Sequence, residues 1–461
     1  MRKLSALSVI FLASANGQIR PIDWPLYGGD AQRTGWEKGD SRITKENVKE
    51  FQLVLKRKLD TKSLTPPVII GRLISYRGFK ELAFVAGASD NLWSIDADTD
   101  RMFWQKHLDS SIAAKSSCSD NTGATPALVP PVNFAGGRPP RGAARPAAPV
   151  GPRGLLAGGG FGAARPIFAL ASDGKLHVLN TSTGDDQAPA MNFLPASAKA
   201  SSLTISDGAI YTTTSGGCGG APDGVWAIDL SAPEPKVASY NLDGGPSGLG
   251  GLAIGADGTV YVQTANKLLA LTSKDLKLKQ SLTSSSNGTT PVVFPYKGRD
   301  LIASAGKGGR LYLLDSQSLT ALNQTEPLSA GEIWGGLSSW QDESGTRWIL
   351  APVGGPAGAI VAYRVEESNG KPALTQAWVS RNMSSPEPPV ITNGVVFALS
   401  AGESTHATLY ALDAATGKEM YSTGDQVTAP GNLTGITLAN GRVYFTTNDG
   451  TLYAFGIFLE R

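Results

Sequence analysis

The chain has 461 residues, with 41 lysines and arginines against 39 aspartates and glutamates, two cysteines and three histidines. The near balance of charge removes the electrostatic basis for a dedicated nucleic-acid-binding protein, and two cysteines exclude both a disulfide-rich scaffold and a four-cysteine zinc site. With 55 glycines, 29 prolines and only 17% charged residues, the composition is typical of many short strands joined by tight turns and excludes a helical bundle or a charged disordered chain.

Residues 1–17 have the features of a secretory signal peptide: a positively charged start, an apolar run over 4–12 and small residues at 13–15. The run is far shorter than the ~20 residues that span a bilayer. No cysteine follows it, so attachment of a lipid there is not expected. We therefore expect an exported protein, periplasmic or extracellular and not a lipoprotein, whose residues 18–461 form a single domain.

A repeating unit runs through the chain from residue 90 onward. Each copy has a β-rich run, a turn such as Asp-Gly, an alternating apolar stretch that often ends in Asp, and a second turn; the clearest copy is Thr408–Lys418. Asp-Gly between apolar runs is a strong hairpin signal. The first apolar residue after the turn marks the eight copies: Leu92, Leu176, Val225, Leu268, Leu311, Ile360, Leu409 and Leu452. Outside the segment 130–165 the copies are about 43 to 49 residues apart, which matches four-stranded propeller blades.

The repeats predict an all-β fold, an eight-bladed β-propeller of four-stranded antiparallel blades. A single blade cannot bury both of its apolar faces, so the array should close into a ring. The last copy ends one strand short, and a free strand at Phe51–Leu59 is available to complete it. The segment 130–165, rich in Gly, Pro, Ala and Arg, falls between the first and second strands of the second blade and is predicted to be a flexible insertion.

These units resemble the quinoprotein, or PQQ-type, repeat of the alcohol-dehydrogenase-like propellers. Leu409–Lys418 matches that repeat almost residue for residue, Ile95–Trp104 keeps its terminal tryptophan, and Trp24–Gly35 resembles the start of such propellers. The resemblance covers essentially residues 22–459. It leaves the function open, since the fold serves enzymes that hold pyrroloquinoline quinone and calcium over the ring axis as well as cofactor-free propellers such as the outer-membrane assembly-factor lipoprotein.

The resemblance also implies where a site would lie. Segments between blades and loops between second and third strands share one face, which holds the cofactor in the quinoprotein dehydrogenases. The candidate cofactor-binding residues expected on that face are Cys118, Asp120, Asn121, Asn287, Lys307, Trp334, Glu387 and Asn432. The family's adjacent cysteine pair is reduced here to Cys118, so its vicinal disulfide is impossible. Cys118 and Cys218 fall on the same predicted face and form either a disulfide or two buried thiols.

The degraded cysteine signature favours a non-catalytic binding or scaffold role, in which the loop face engages a protein or a small ligand. One alternative is a PQQ- and Ca²⁺-dependent dehydrogenase of alcohols or sugars; another is a carbohydrate binder that uses tryptophans of the funnel. No catalytic residue or metal ligand set stands out from the spacing. We expect a monomer with no membrane span and no nucleic-acid partner.

Overall fold

The computed structural model describes residues 21–75, 78–108, 123–130, 165–284, 289–328 and 331–457. Over these residues the chain forms eight four-stranded sheets and one two-stranded parallel pair. First strands of neighbouring sheets contact one another, so the sheets are arranged as blades around an axis. The predicted eight-bladed, all-β propeller is confirmed. Helical structure in the described residues is limited to four short 3₁₀ turns, Val48–Glu50, Cys218–Gly220, Lys307–Gly309 and Gly424–Gln426.

The first four blades follow in chain order after strand β1, Gln52–Lys58. Blade 1 contains β2 (Val68–Ser75), β3 (Gly78–Ala86), β4 (Asn91–Asp96) and β5 (Arg101–His107). Blade 2 contains β6 (Ala127–Leu128), β7 (Pro166–Leu170), β8 (Lys175–Asn180) and β9 (Asp186–Asn192). Blade 3 contains β10 (Thr204–Ser206), β11 (Ala209–Thr214), β12 (Gly224–Asp229) and β13 (Lys236–Asn241). Blade 4 contains β14 (Leu252–Ile254), β15 (Val260–Gln263), β16 (Lys267–Leu271) and β17 (Leu278–Thr283).

The remaining blades complete the ring. Blade 5 contains β19 (Val292–Tyr296), β20 (Arg299–Ala305), β21 (Leu311–Asp315) and β22 (Ala321–Gln324), and β18 (Thr289–Thr290) precedes it. Blade 6 contains β24 (Ser338–Gln341), β25 (Arg347–Val353), β26 (Ala359–Ser368) and β27 (Lys371–Val379), after β23 (Gly335–Gly336), which pairs with β18. Blade 7 contains β28 (Val390–Thr392), β29 (Val395–Ser400), β30 (Thr408–Asp413) and β31 (Glu419–Ser422). Blade 8 contains β32 (Thr437–Ala439), β33 (Arg442–Thr447), β34 (Thr451–Gly456) and β1.

Both ends of the described chain contribute to blade 8. Strand β1 pairs antiparallel with β34 and is the outermost strand of this sheet. Leu55 on β1 is buried, and Phe51 just before it stacks on Phe397 of blade 7 with ring centroids 5.3 Å apart. The strand that precedes the first blade thus finishes the last one, and apolar contacts fix it there.

The eight marker residues of the repeat all lie on the third strand of a blade, and each is completely buried. A third strand packs against the neighbouring blade on both faces, so apolar side chains are required on both sides of the strand. Each fully buried Leu, Ile or Val favours the folded state by about 1.5–3 kcal/mol. Segment 131–164, which includes most of the predicted insertion, connects β6 and β7 but lies outside the described residues.

An axial segment, residues 22–40, fills the centre of the ring. The first strand of each blade is an edge strand that faces the axis, and its backbone groups need partners there. Backbone groups of the axial segment bond to the first strands of six blades, at Ile69, Leu128, Ile254, Val293, Ser339 and Ile391. The other two blades are reached by the Arg33 side chain, which donates to Thr204, and by the Ile22 N–H, which donates to Asn440. The axial segment is therefore bonded to all eight blades.

Candidate functional site

A cavity of about 180 Å³ lies beside the axis on the face that carries the segments between blades. The axial segment crosses the centre of the ring and closes the cavity on its inner side, where Tyr27 contributes to the lining. The polar side chains of the lining are Tyr27, Thr65, Thr125, Lys199, Ser201, Ser202, Thr213, Ser215 and Thr434. Apart from Tyr27, they come from blades 1, 2, 3 and 8 or from the segments that lead into them, so the cavity exists only in the closed ring. We call it the axial cavity.

Arg33 anchors the axial segment beneath this cavity. Its side chain is buried and donates to five oxygens: Leu252 O at 2.8 Å, Tyr27 O at 2.5 Å, Ser202 Oγ at 2.9 Å, Gly250 O at 3.1 Å, and Thr204 Oγ1. Burial lowers the pKa of Arg33 to about 10, so the guanidinium remains charged at neutral pH. All five acceptors are neutral oxygens, and the Asp30 carboxylate attracts the cation without forming an ion pair with it.

Tyr27 is only 8% exposed, and within the described part of the chain its hydroxyl has no hydrogen-bond partner. Burial, with a smaller contribution from Glu387, raises the pKa of this phenol well above its usual value, so it stays protonated. Gly435 packs against the ring: at φ 105°, a Cβ there would lie 2.9 Å from a ring carbon of Tyr27. A glycine is needed at this position both for its backbone conformation and for the close approach.

Glu387 and Asn432 meet at one loop, residues 431–435, which leads into blade 8. Glu387 is 1% exposed, and its carboxylate accepts the N–H groups of Gly435 and Leu433. Burial raises the pKa of Glu387 to about 7, against the opposing effect of these two N–H donors. The Asn432 amide donates to Leu64 O at 3.4 Å and to Thr446 Oγ1 at 3.2 Å. Both side chains hold backbone, and neither is among the lining of the axial cavity.

The loops that carry Lys307 and Trp334 meet at Glu332. Lys307 is exposed at the turn between β20 and β21, and the two residues after it donate their N–H groups to the Glu332 carboxylate at 3.0 and 3.1 Å. Trp334 is half-buried against Gly354, and its indole N–H is buried without a partner among the described residues. The two loops are thus in contact, and neither Lys307 nor Trp334 is among the lining of the axial cavity.

The other candidates are Cys118, Asp120, Asn121 and Asn287, which lie outside the described residues. Cys218 is 1% exposed in the turn between β11 and β12 and is disulfide-bonded. The sequence contains one other cysteine, Cys118, and the pairing of the two remains a prediction.

Sequence reasoning missed the residues that do line the axial cavity. Thr125 and Lys199 sit on segments between blades, and Ser215 follows the second strand of blade 3. Serines and threonines are common at such positions and carry no distinguishing spacing. A signal existed for Tyr27, since it lies within the Trp24–Gly35 stretch that resembles the start of quinoprotein propellers. No tryptophan of the described chain lines the cavity.

The described donor set does not fit a calcium ion. Ca²⁺ takes six to eight oxygen ligands, usually with carboxylates among them, whereas the described axial-cavity lining has hydroxyls and one lysine but no carboxylate. No group of three or more His, Cys, Asp or Glu residues in the described ranges is arranged to hold a metal. In the same ranges, no helix has the length and apolar character needed to cross a membrane.

A larger cavity of about 630 Å³ lies on the opposite face, between blades 8 and 1. Most of its charged side chains form ion pairs with one another or with neighbouring aspartates. The ion pairs are Arg442–Glu81 at 3.2 Å, Arg442–Asp98 at 3.3 Å, Arg42–Asp40 at 3.3 Å and Lys80–Asp96 at 2.7 Å. This arrangement links the first and last blades. Arg72, which also lines the cavity, forms no ion pair with a described residue and lies over the Phe79 ring.

Comparison with known proteins gives one family match and many structural matches. The family model described as outer membrane protein assembly factor BamB matches residues 340–457. No curated protein sequence matches the chain. Among solved structures, quinohemoprotein alcohol dehydrogenase from Comamonas testosteroni is 14% identical with a TM-score of 0.59, covering 97% of this chain and 82% of its own.

Two other solved structures represent the range of the matches. A europium-containing methanol dehydrogenase is 11% identical with a TM-score of 0.62, covering 95% of this chain and 98% of its own. BamB from Moraxella catarrhalis is 14% identical with a TM-score of 0.55, covering 89% and 99%. At such identities the likeness establishes the fold alone, because enzymes and an assembly factor resemble the chain about equally.

Proposed function

Starting from a chain that carries the PQQ-type repeat and folds as its eight-bladed propeller, we propose that it is an exported, non-catalytic binding or scaffold protein. The face with the segments between blades engages the ligand or partner. Export is proposed from the predicted signal peptide at residues 1–17.

The observation that carries this proposal is the hydroxyl-lined axial cavity, which the axial segment closes on its inner side. The axial segment blocks the centre of the ring, so this cavity receives a ligand rather than passing one through. Arg33 is fixed by five hydrogen bonds beneath it, which supports a rigid, preformed surface. Preformed sites bind with little loss of conformational entropy.

The alternative function is a PQQ- and Ca²⁺-dependent dehydrogenase. The position of the axial cavity on the face predicted for the cofactor favours it, as does the structural likeness to two dehydrogenases. The described lining argues against it, since no carboxylate is present to bind calcium. The degraded cysteine motif around Cys118 argues in the same direction.

Reconstitution separates the two functions. The purified protein is mixed with PQQ and Ca²⁺, and both the quinone absorption and dye-linked oxidation of alcohols and sugars are followed. We expect no turnover with any substrate. Saturable PQQ binding accompanied by turnover would refute the non-catalytic proposal.

A matched pair of photo-crosslinking variants tests which face binds. Lys307 is exposed on the face of the axial cavity, and Glu343 is exposed in the turn between β24 and β25, on the opposite face. A photoreactive residue at position 307 should crosslink to the bound partner in cells, whereas one at position 343 should not. Crosslinking from 343 alone would place the binding surface on the wrong side for this proposal.

A further inference from the structure

We infer that the axial cavity binds a small oxyanion, a carboxylate or a phosphate, through the Lys199 ammonium and the hydroxyls of Tyr27, Thr125 and Ser215. This inference rests on the proposed binding function and names the chemistry of its ligand.

The charge of the cavity supports an anion. Lys199 lines the cavity and forms no ion pair with any described residue. Arg33, a second cation without an ion-pair partner among the described residues, contacts the back of the lining through Ser202. No acidic side chain appears in the described lining, and the nearby Glu387 carboxylate is engaged by backbone N–H groups. An entering anion therefore meets the Lys199 ammonium, which pairs with no described carboxylate.

The hydrogen-bonding groups of the lining divide into two sets. Ser201, Ser202 and Thr213 are bonded to one another or to the protein around them. The Tyr27 hydroxyl is buried without a partner among the described residues, and the Thr125 and Ser215 hydroxyls form no hydrogen bond within the described structure. A buried hydroxyl without a partner is unfavourable. Donation to an oxyanion would satisfy these groups, and such charge-assisted hydrogen bonds are about twice as strong as neutral ones.

The size of the cavity limits the ligand. Sites for drug-sized molecules usually measure about 300–1,000 Å³, and the axial cavity has about 180 Å³. It therefore suits an anion with few non-hydrogen atoms, such as phosphate or a short dicarboxylate.

Calorimetric titration of the full chain tests this inference with inorganic phosphate, sulfate, acetate and succinate, and with glycerol as a neutral control. We expect millimolar or tighter binding of at least one oxyanion, weakened by added salt, and none of glycerol. Lys199→Met removes the charge but keeps the aliphatic stem, and should weaken binding roughly 10- to 100-fold. Lys199→Arg should retain most of the affinity.

Two further variants complete the design. Tyr27→Phe removes only the unpartnered hydroxyl, so it should fold normally and bind a few-fold more weakly. Lys62→Met removes an exposed lysine from the segment between blades 8 and 1, on the same face but outside the lining, and should leave binding unchanged. Equal affinity in wild type and Lys199→Met, or no response to any oxyanion, would overturn the inference.

The outcomes also separate this inference from the proposed function. Binding of only a neutral ligand, or of a protein at the same face, would refute the oxyanion while leaving a non-catalytic binding role in place. Turnover with PQQ would refute that role whatever the response to phosphate or succinate.

Discussion

Replacement of Arg33 by Met provides the strongest test of how the ring is held together. The substitution removes five hydrogen bonds to a buried charged group, and four of the acceptors (Tyr27 O, Leu252 O, Gly250 O and Thr204 Oγ1) belong to residues of the axial segment and of blades 3 and 4. Each buried acceptor left without a donor costs about 1–3 kcal/mol. Removing the buried charge returns part of that cost, so we expect a net loss of roughly 3–5 kcal/mol.

Urea denaturation followed by tryptophan fluorescence measures this loss as a change in the midpoint and in the free energy of unfolding. Arg381→Met is the matched control, because its guanidinium is half-exposed and pairs with Glu419 at the surface. An exposed pair of this kind contributes no more than about 1 kcal/mol. Arg33→Lys should give an intermediate loss, since an ammonium has three donors and cannot reach five acceptors.

Hydrogen exchange adds a readout specific to the axial segment. The amides of Ile254 and Val293 donate to Ala31 and Gln32 of that segment. In Arg33→Met these two amides should exchange faster than amides on the outer strands of the same blades. If the stability of Arg33→Met lies within about 1 kcal/mol of that of Arg381→Met, and these amides stay protected, then Arg33 does not anchor the axial segment.

Three other predictions concern the pKa of Glu387, the packing of β1 and the pairing of the two cysteines. The pKa of Glu387 rises from 4.5 to about 7 on folding, so between these pH values the folded state holds a proton that the unfolded state has lost. The free energy of unfolding should therefore fall by about 3 kcal/mol as pH rises from 4.5 through 7. Urea titrations at several pH values should show a shallower fall in Glu387→Gln. Leu55→Ala, at a buried position of β1, should lower the free energy of unfolding by about 2–4 kcal/mol. Leu53→Ala, at a position of the same strand that is 37% exposed, should lower it by under ~1 kcal/mol. Similar losses for both variants would contradict the packing of β1 against the ring. Peptide mapping by mass spectrometry without reduction should recover Cys118 linked to Cys218, and free thiols at both positions would disprove the pairing.

The fold could be predicted from the sequence because it depends on local, repeated signals. Apolar alternation with Asp-Gly turns specifies antiparallel hairpins, and a constant spacing counts the blades without knowledge of any long-range contact. Leu409 and its seven counterparts lie on third strands, which are covered on both faces and therefore need apolar side chains on both sides. The strand near residues 52–58 could be recognised as free because it precedes the first copy of the repeat, while the last copy ends one strand short.

The composition of the axial cavity was decided by the tertiary structure. Lys199 and Ser215 meet within blade 3, where the Ser215 N–H donates to Lys199 O. Thr65, Thr125 and Thr434 belong to other blades and reach the same cavity only because the ring closes. Residues 22–40 bond to the eight blades largely through backbone groups. Backbone hydrogen bonds do not require particular side chains, so the sequence does not reveal them. Glu387 shows the same limit, since its sequence neighbours do not reveal that its carboxylate is buried under the N–H groups of a distant loop. Strand order follows from local chemistry, whereas a binding site depends on which distant groups the closed ring brings within hydrogen-bonding distance.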